Sequence, residues 1–324
     1  EPDRVDLSHI PFVSIDAART IDIDDVLHAE VTSEGWQLSV AVADPTSFLS
    51  TLEGLNKTLA GRGASAYFHG EVIPMLPDMI SQKYCALAAN TLRPALVCRM
   101  QIRESGEIGA FQFQKAVIRS TAKLSYSAVD RYVTGSSDDL IAYANPLEAL
   151  VQAYRKLREY REQHELVMEE RREYRWLLGE NKQISEIESY DKLASQTLVE
   201  ECMIAANKCA AIFLRDSGLS GPFVAHRGFR EDRKEEARSF LSKHRPPLKN
   251  EPFESLVGYR TVLVDLANVN HPLPLRDMVN RLLTRAEFTD QPEPHMGLAT
   301  SVYTNFTSPL RKALDFFVHL QIRA

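Results

Sequence analysis

The sequence is poor in the features that most quickly assign a protein to a class. Four cysteines in 324 residues, Cys85, Cys98, Cys202 and Cys209, include no C-x-x-C pair. Neither a disulfide framework nor a cysteine zinc ribbon is therefore encoded, and a reduced, cytoplasmic setting is the expectation. Cys202 and Cys209 fall seven apart in a helical stretch and read as small core residues. No apolar run approaches the roughly 18 residues of a membrane-spanning helix, so no membrane partner is expected. The chain opens on Glu1 with no signal pattern behind it, and we expect a core or fragment of something longer. Surplus basic charge is also missing. The formal net charge is −6, whereas nucleic-acid binders usually carry a basic footprint. That exclusion is incomplete, because an acidic metal cluster and a basic groove can offset each other within one chain.

The remaining composition, 44% apolar and 25% charged, is ordinary for a globular protein. The length allows one large domain or two smaller ones. No internal repeat, low-complexity tract or long linker divides the chain, and Pro246-Pro247 and the Pro272 to Pro274 region read as loops within one domain. The first third is rich in strand signals. Residues 36–42 (WQLSVAV) form one candidate strand, closed by Pro45. Residues 95–102 and 111–118 form two more around the turn-like Ser105-Gly106-Glu107. Helical spacing of Leu147, Leu150, Val151, Tyr154 and Leu157 predicts an amphipathic helix between Pro146 and Met168. A second helix is expected from Leu193 to Leu214, with Glu200, Met203 and Asn207 on one face. Arg227, Arg230, Arg233, Lys234, Arg238, Lys243 and Arg245 interleave with acidic residues and read as a solvated mixed-charge helix.

What stands out is SIDAARTIDIDD, which sets Asp16, Asp22, Asp24 and Asp25 within ten positions. Phe12, Val13 and Ile15 suggest a strand ending at Asp16. Ile21 and Ile23 alternate with Asp22 and Asp24, a period-2 pattern that puts those two carboxylates on one strand face, with a bulge or turn at Asp25. Crowded carboxylates raise each other's pKa unless a cation neutralises them. With no His or Cys in the cluster, an oxygen-preferring ion such as Mg²⁺ or Mn²⁺ is indicated. An EF-hand loop is excluded, since counting from Asp22 puts Leu27 where glycine is needed and Ser33 where a bidentate glutamate is needed. An acidic surface turn is the competing reading. Near the C-terminus, NFTSPLRK predicts a helix start with Ser308 as N-cap and Pro309 in the first position. Its free amides, with Arg311 and Lys312, would form an anion site, and Asp315 is spaced to orient Arg311.

Carboxylates for a metal and a cation for a phosphate are the complementary halves of metal-assisted phosphodiester cleavage. In this order, together with VAVADPTSF, IPMLP, AKLSY, LVEECMIAANKCAA and PHMGLA, they make the chain resemble the catalytic RNB domain of the ribonuclease II family over nearly its whole length. The resemblance implies an α+β fold, a mostly antiparallel mixed sheet flanked by helices enclosing an RNA channel, with residues 1–324 forming the RNB domain. It implies a hydrolytic, Mg²⁺-dependent 3′→5′ exoribonuclease that degrades single-stranded RNA to 5′-mononucleotides. Asp16, Asp22 and Asp25 would be metal ligands, Asp22 also serving catalysis. Asp24 would be the acid nearest the chemical step, and Arg311 would contact the scissile phosphate. Tyr67 would stack on bases, Tyr126 and Glu200 would help select ribose, and Lys312 would add a contact to RNA.

Three departures from the family pattern bear on function. Met168 stands where a second stacking aromatic is usual, which weakens a stack worth about 1–3 kcal/mol per base. Ala313 replaces an aromatic and is expected to loosen the packing around Arg311. The sequence holds neither a cold-shock nor an S1 domain, the OB-fold modules that grip RNA in the family, nor the helix bearing a further family glutamate. An RNB-family RNA-binding or regulatory protein with impaired catalysis is the alternative reading.

Overall fold

The computed structural model describes residues 3–48, 55–68, 71–135, 140–167, 173–179, 183–244 and 253–324. Its first part is built on strands β1 (Val5–Asp6), β2 (Phe12–Asp16), β3 (Asp25–Thr32) and β4 (Gly35–Ala43), followed by α1 (Leu55–Arg62) and the hairpin β5 (Ala66–Phe68) and β6 (Glu71–Ile73). Two long strands, β7 (Leu92–Arg103) and β8 (Ile108–Ser125), lead into helices α2 (Tyr126–Val133) and α3 (Ala144–His164). A ribbon of β9 (Glu173–Leu178) and β10 (Ile184–Tyr190) then precedes the long α4 (Ala194–Asp216). The last part contains β11 (Phe223–Ala225), α5 (Lys234–His244), α6 (Leu256–Asn268), α7 (Leu275–Asn280), β12 (Glu287–Thr289) and α8 (Ala313–Arg323). No helix among the described residues is long and apolar enough to cross a membrane.

β8 explains the architecture. Its first part pairs antiparallel with β7, from Ile102↔Ile108 to Leu92↔Arg119. Its last part pairs parallel with β2, from Phe12↔Ser120 to Asp16↔Ser125. Antiparallel pairing of β2 with β3, β3 with β4 and β4 with β7 completes a closed circuit, and β1 adds a short parallel pairing to β8. The mixed, mostly antiparallel α+β fold expected from the sequence is therefore present. The strands read as near-continuous apolar runs because both faces are covered. Leu27, Val40, Val42, Leu96 and Cys98 pack toward α3 and α4, whereas Val26, Ala41, Ala43, Ala95 and Val97 pack with Leu59, Met75, Leu310 and Phe316. A separate apolar cluster gathers α5, α6 and α7 around Tyr259. All four cysteines are buried and free.

The expected strands are longer than the apolar runs that revealed them, because Arg93, Pro94, Arg119, Ser120 and Lys123 sit in the ladder without belonging to an apolar stretch. The turn at Ser105-Gly106 is real: Gly106 N donates to Arg103 O at 2.8 Å. Gly106 has φ +85°, and a Cβ there would lie 2.0 Å from Lys156 O, so only glycine lets this hairpin rest on α3. Only part of the expected mixed-charge helix appears, as α5 with Lys234, Arg238 and Lys243; Arg227, Arg230 and Arg233 precede it, Arg245 lies outside the described residues, and Arg233 and Arg238 pair with Glu236 and Glu235.

Asp44, in the ADP segment after β4, ties the two ends of the chain together. Its Oδ2 accepts from Arg4 Nη2 at 2.6 Å, and its Oδ1 accepts from Arg323 Nη1 at 3.3 Å and from Thr46. Asp44 is fully buried and Arg4 nearly so. A second buried pair locks α3 to α4, with Arg161 Nη1 donating to both Glu201 oxygens at 2.7 Å. Removing one member of such a pair leaves buried charge uncompensated, at a cost of about 3–5 kcal/mol. Asp44→Ala should therefore lower stability by that order in urea unfolding, and should loosen α8, seen as faster amide exchange at its C-terminal turn.

Candidate active site

Four aspartates come to one cleft because three pieces of chain end there. Asp16 closes β2 and lies in register with Ser125, the residue before Tyr126 at the start of α2. Asp25 opens β3 opposite Val42. The chain between them does not form the alternating strand expected for Ile21 to Asp24. It makes a turn, with Thr20 N donating to Ala17 O at 3.0 Å and Lys123 Nζ donating to Ala18 O and Thr20 O at 2.9 and 2.6 Å. Ile21 is exposed and Ile23 buried, which is what an apolar alternation looks like when a loop tucks in one of two residues. Strand pairing starts at Asp25, so that residue is a strand start and not a bulge.

The late helix start is also corrected. Ser308 to Arg311 form a turn, with Arg311 N and Lys312 N donating to Ser308 O at 3.2 and 3.0 Å, and α8 begins at Ala313 with Lys312 as its N-cap residue. Ser308 Oγ accepts from Arg311 Nη2 at 3.1 Å instead of capping amides. Leu310 N, an amide expected to face an anion, donates to Asp24 Oδ1 at 3.2 Å. Arg311 Nε donates to Asp24 Oδ2 at 3.1 Å. The turn is thus bound to the aspartate segment across 286 positions of sequence. Asp315 does not orient Arg311 directly: its Oδ2 accepts from Ser308 N at 2.9 Å. Ala313 is buried, and the backbone beside it is pinned, with Ala313 N donating to Gly63 O and Ser65 N to Arg311 O.

The resulting cavity, of about 480 Å³, is bordered by Asp16, Asp22, Asp24 and Asp25 on one side and Ser308, Arg311 and Lys312 on another. Tyr67 and Tyr126 also border it, along with Val199 and Met203 of α4. Tyr67 is 55% exposed on β5, so its ring is free to stack. Glu200 does not line the cavity: it is exposed on α4 and paired with Lys192. Asn207, on the same helix, is buried and holds Tyr303 Oη and Phe306 N. Met168 lies outside the described residues. Val199 and Met203 are apolar residues of the expected helix, and their spacing alone does not set them apart from core positions. Lys123, which holds the aspartate turn, lies in the AKLSY segment but is not singled out there.

Electrostatics in the cleft are governed by burial. Burial raises Asp24 to about 7, against the pull of Arg311 and of the Leu310 amide. Burial, reinforced by Asp16 and Asp24, pushes Asp25 well above the ordinary carboxylate value. Asp16 is also raised by burial, with Lys123 and Arg311 opposing and Asp22 adding to it. The Tyr126 phenol is pushed up to about 12 by burial beside Asp16 and Asp25, which keeps it a hydrogen-bond donor at neutral pH. Asp16 Oδ2 is buried without a hydrogen-bond partner. That orphaned anionic oxygen, in a set of oxygen donors only, fits a hard divalent cation. Asp24 has both oxygens engaged, which leaves Asp16, Asp22 and Asp25 to hold one. Among the described residues no three acidic, His or Cys side chains are placed so that they could together hold a metal ion as they stand.

A carboxyl raised above its unfolded value holds its proton longer in the folded state, so its contribution to stability is fullest at low pH and is lost as pH rises from about 4 to about 7. Thermal unfolding of the chelated protein should show that decline, and Asp25→Asn should make it shallower. An unchanged slope would mean that Asp25 is not under the strain described.

The sequence pattern of the RNB domain family matches residues 4–324. Exoribonuclease 2 of Klebsiella pneumoniae is 35% identical over 326 residues, which cover 99% of this chain and 50% of that protein. Exoribonuclease 2 of Yersinia pseudotuberculosis is also 35% identical, over 100% of this chain and 51% of its own length. The chain thus spans about half the length of the curated relatives it matches. Mycoplasma genitalium RNase R in complex with ribose methylated single-stranded RNA superposes with a TM-score of 0.90 at 21% identity, covering 99% of this chain and 51% of that one. Yeast Ssd1, described as a pseudonuclease, superposes with a TM-score of 0.73 at 15% identity, over 99% of this chain and 40% of its own.

Proposed function

This chain belongs to the RNB domain family, and on that premise we propose that it is the catalytic core of a 3′→5′ exoribonuclease that hydrolyses single-stranded RNA to 5′-mononucleotides. The observation that carries the reading is the pairing of Asp24 with Arg311 in a cleft that also gathers Asp16, Asp22 and Asp25. Fold alone does not decide the matter, since a pseudonuclease shares it; the intact set of four carboxylates and one guanidinium favours catalysis over the regulatory alternative.

Mg²⁺, with Mn²⁺ as a substitute, would be held by Asp16, Asp22 and Asp25, and when bound it supplies Lewis-acid polarisation and charge neutralisation at the phosphate. The residues do the rest. Arg311 keeps 43% of its side chain exposed, so its remaining donors can reach a phosphate and stabilise charge that grows in the transition state. Asp24, raised to about 7 by burial, is poised to accept or order a proton of the attacking water near neutral pH. Lys312 adds positive charge at the rim. Tyr67 offers a face on which a base stacks, worth about 1–3 kcal/mol. The Tyr126 hydroxyl remains a donor and suits recognition of a ribose 2′-hydroxyl. Glu200 enters only if its pairing with Lys192 opens. OB-fold modules elsewhere in a longer protein would add grip on the RNA.

Asp24→Asn should lower nucleotide release by about a hundredfold or more while changing RNA affinity less than about threefold, measured by chromatography of products and by fluorescence anisotropy. Retained turnover would overturn the assignment of Asp24. A DNA oligomer of the same sequence should be degraded far more slowly; equal rates would remove Tyr126 from ribose selection.

A further inference from the structure

Arg311 has no helix to hold it, since α8 begins only at Ala313, and its side chain borders the cleft and is 43% exposed. Its aim depends on what fixes the turn from Ser308 to Arg311. Leu310 N on Asp24 Oδ1 and Ser65 N on Arg311 O hold its backbone, and of three further supports two act at a distance: Asn207 Oδ1 accepts from Phe306 N at 2.7 Å, and His319 Nε2 lies 2.8 Å from Phe306 O with its ring stacked on Phe306. The third acts next to the guanidinium. Asp315 Oδ2 accepts from Ser308 N at 2.9 Å, and the same serine's Oγ accepts from Arg311 Nη2 at 3.1 Å.

We propose that Asp315 is a positioning residue for the reaction, acting through Ser308 to fix the Arg311 guanidinium between Asp24 and the phosphate site. The proposal rests on the exoribonuclease reading above. Asp315 is 1% exposed, and its Oδ1 has no hydrogen-bond partner. A half-satisfied buried carboxylate is an expensive way to hold one amide. The expense is explained if the Ser308 contact sets the geometry of a transition-state donor, where a misplacement of about 1 Å costs up to about 10²-fold in rate. With Nε committed to Asp24 and Nη2 to Ser308 Oγ, the guanidinium plane is fixed at two points, and its other donors have one direction left. The competing structural role is plain as well: Asp315 lies in the first turn of α8, where an acid is favourable for any helix.

The two roles separate in kinetics. Asp315→Ala should lower kcat for a single-stranded RNA by about tenfold or more with KM within about twofold. Asp315→Asn, whose amide oxygen still accepts from Ser308 N, should stay within about threefold of the wild type. In an Arg311→Lys background, which lacks the contact to Ser308 Oγ, Asp315→Ala should add less than about twofold. If Asp315→Ala multiplies the Arg311→Lys defect by its full factor, or Asp315→Asn is as impaired as Asp315→Ala, the residue supports the fold and not the arginine. An activity-independent readout distinguishes failure of this proposal from failure of the nuclease reading. In arginine-labelled protein, the Arg311 Nε–H resonance, assigned by its loss in Arg311→Lys, should be protected in the wild type and Asp315→Asn and exchange rapidly in Asp315→Ala. An unchanged resonance in Asp315→Ala overturns the proposal whether or not RNA is degraded.

Discussion

Placing four carboxylates around one partly dry cleft costs free energy, because burial and mutual repulsion both disfavour their charged forms. Asp16, Asp24 and Asp25 all show this as raised pKa values, and burial is the leading cause in each. Much of the surrounding structure can be understood as holding those groups where they would not stay unaided. β2 and β3 deliver Asp16 and Asp25 from rigid strand ends. Lys123 ties down the turn between them. Arg311 and the Leu310 amide neutralise Asp24.

That last contact joins the beginning of the chain to its end, and the fold is arranged to make the joint rigid. The turn bearing Arg311 is suspended from α4 by Asn207 and from α8 by Asp315 and His319. α8 is in turn fastened to the end of β4 through Arg323 and the buried Asp44. The carboxylate side of the cleft thus sits on two strand ends and the turn between them, and the cationic side on a turn hung from helices, with buried polar pairs connecting the two. Such sites hold their geometry because every support is itself packed.

Much of this could be read from the sequence, and what could not has a common physical cause. Asp16 at a strand end, the helix around Cys202 and Cys209, and the strands flanking Gly106 were all visible because periodicity reports local packing. Ile21 to Asp24 misled because two isoleucines spaced by two mimic a strand wherever only one is buried. Ser308-Pro309 misled because serine and proline suit a turn as well as a helix start, and the distant Asp24, through Leu310 N and Arg311, decided between them. The family resemblance put Asp24 and Arg311 at one site but not in contact, and their pairing was not legible because no local pattern links residues so far apart. Asn207 and Asp44 look like ordinary polar residues in sequence, and their importance lies wholly in partners from other elements.

The crowded carboxylates are proposed to be arranged for a divalent cation. The most direct test is the shift in thermal unfolding temperature on adding Mg²⁺ to chelated protein at pH 8 and at pH 5, in wild type and Asp16→Asn. A marked stabilisation is expected at pH 8 and a much smaller one at pH 5, where protons compete more strongly with the cation, with most of the effect lost in the variant. Equal shifts at both pH values, or a shift unaffected by Asp16→Asn, would contradict it.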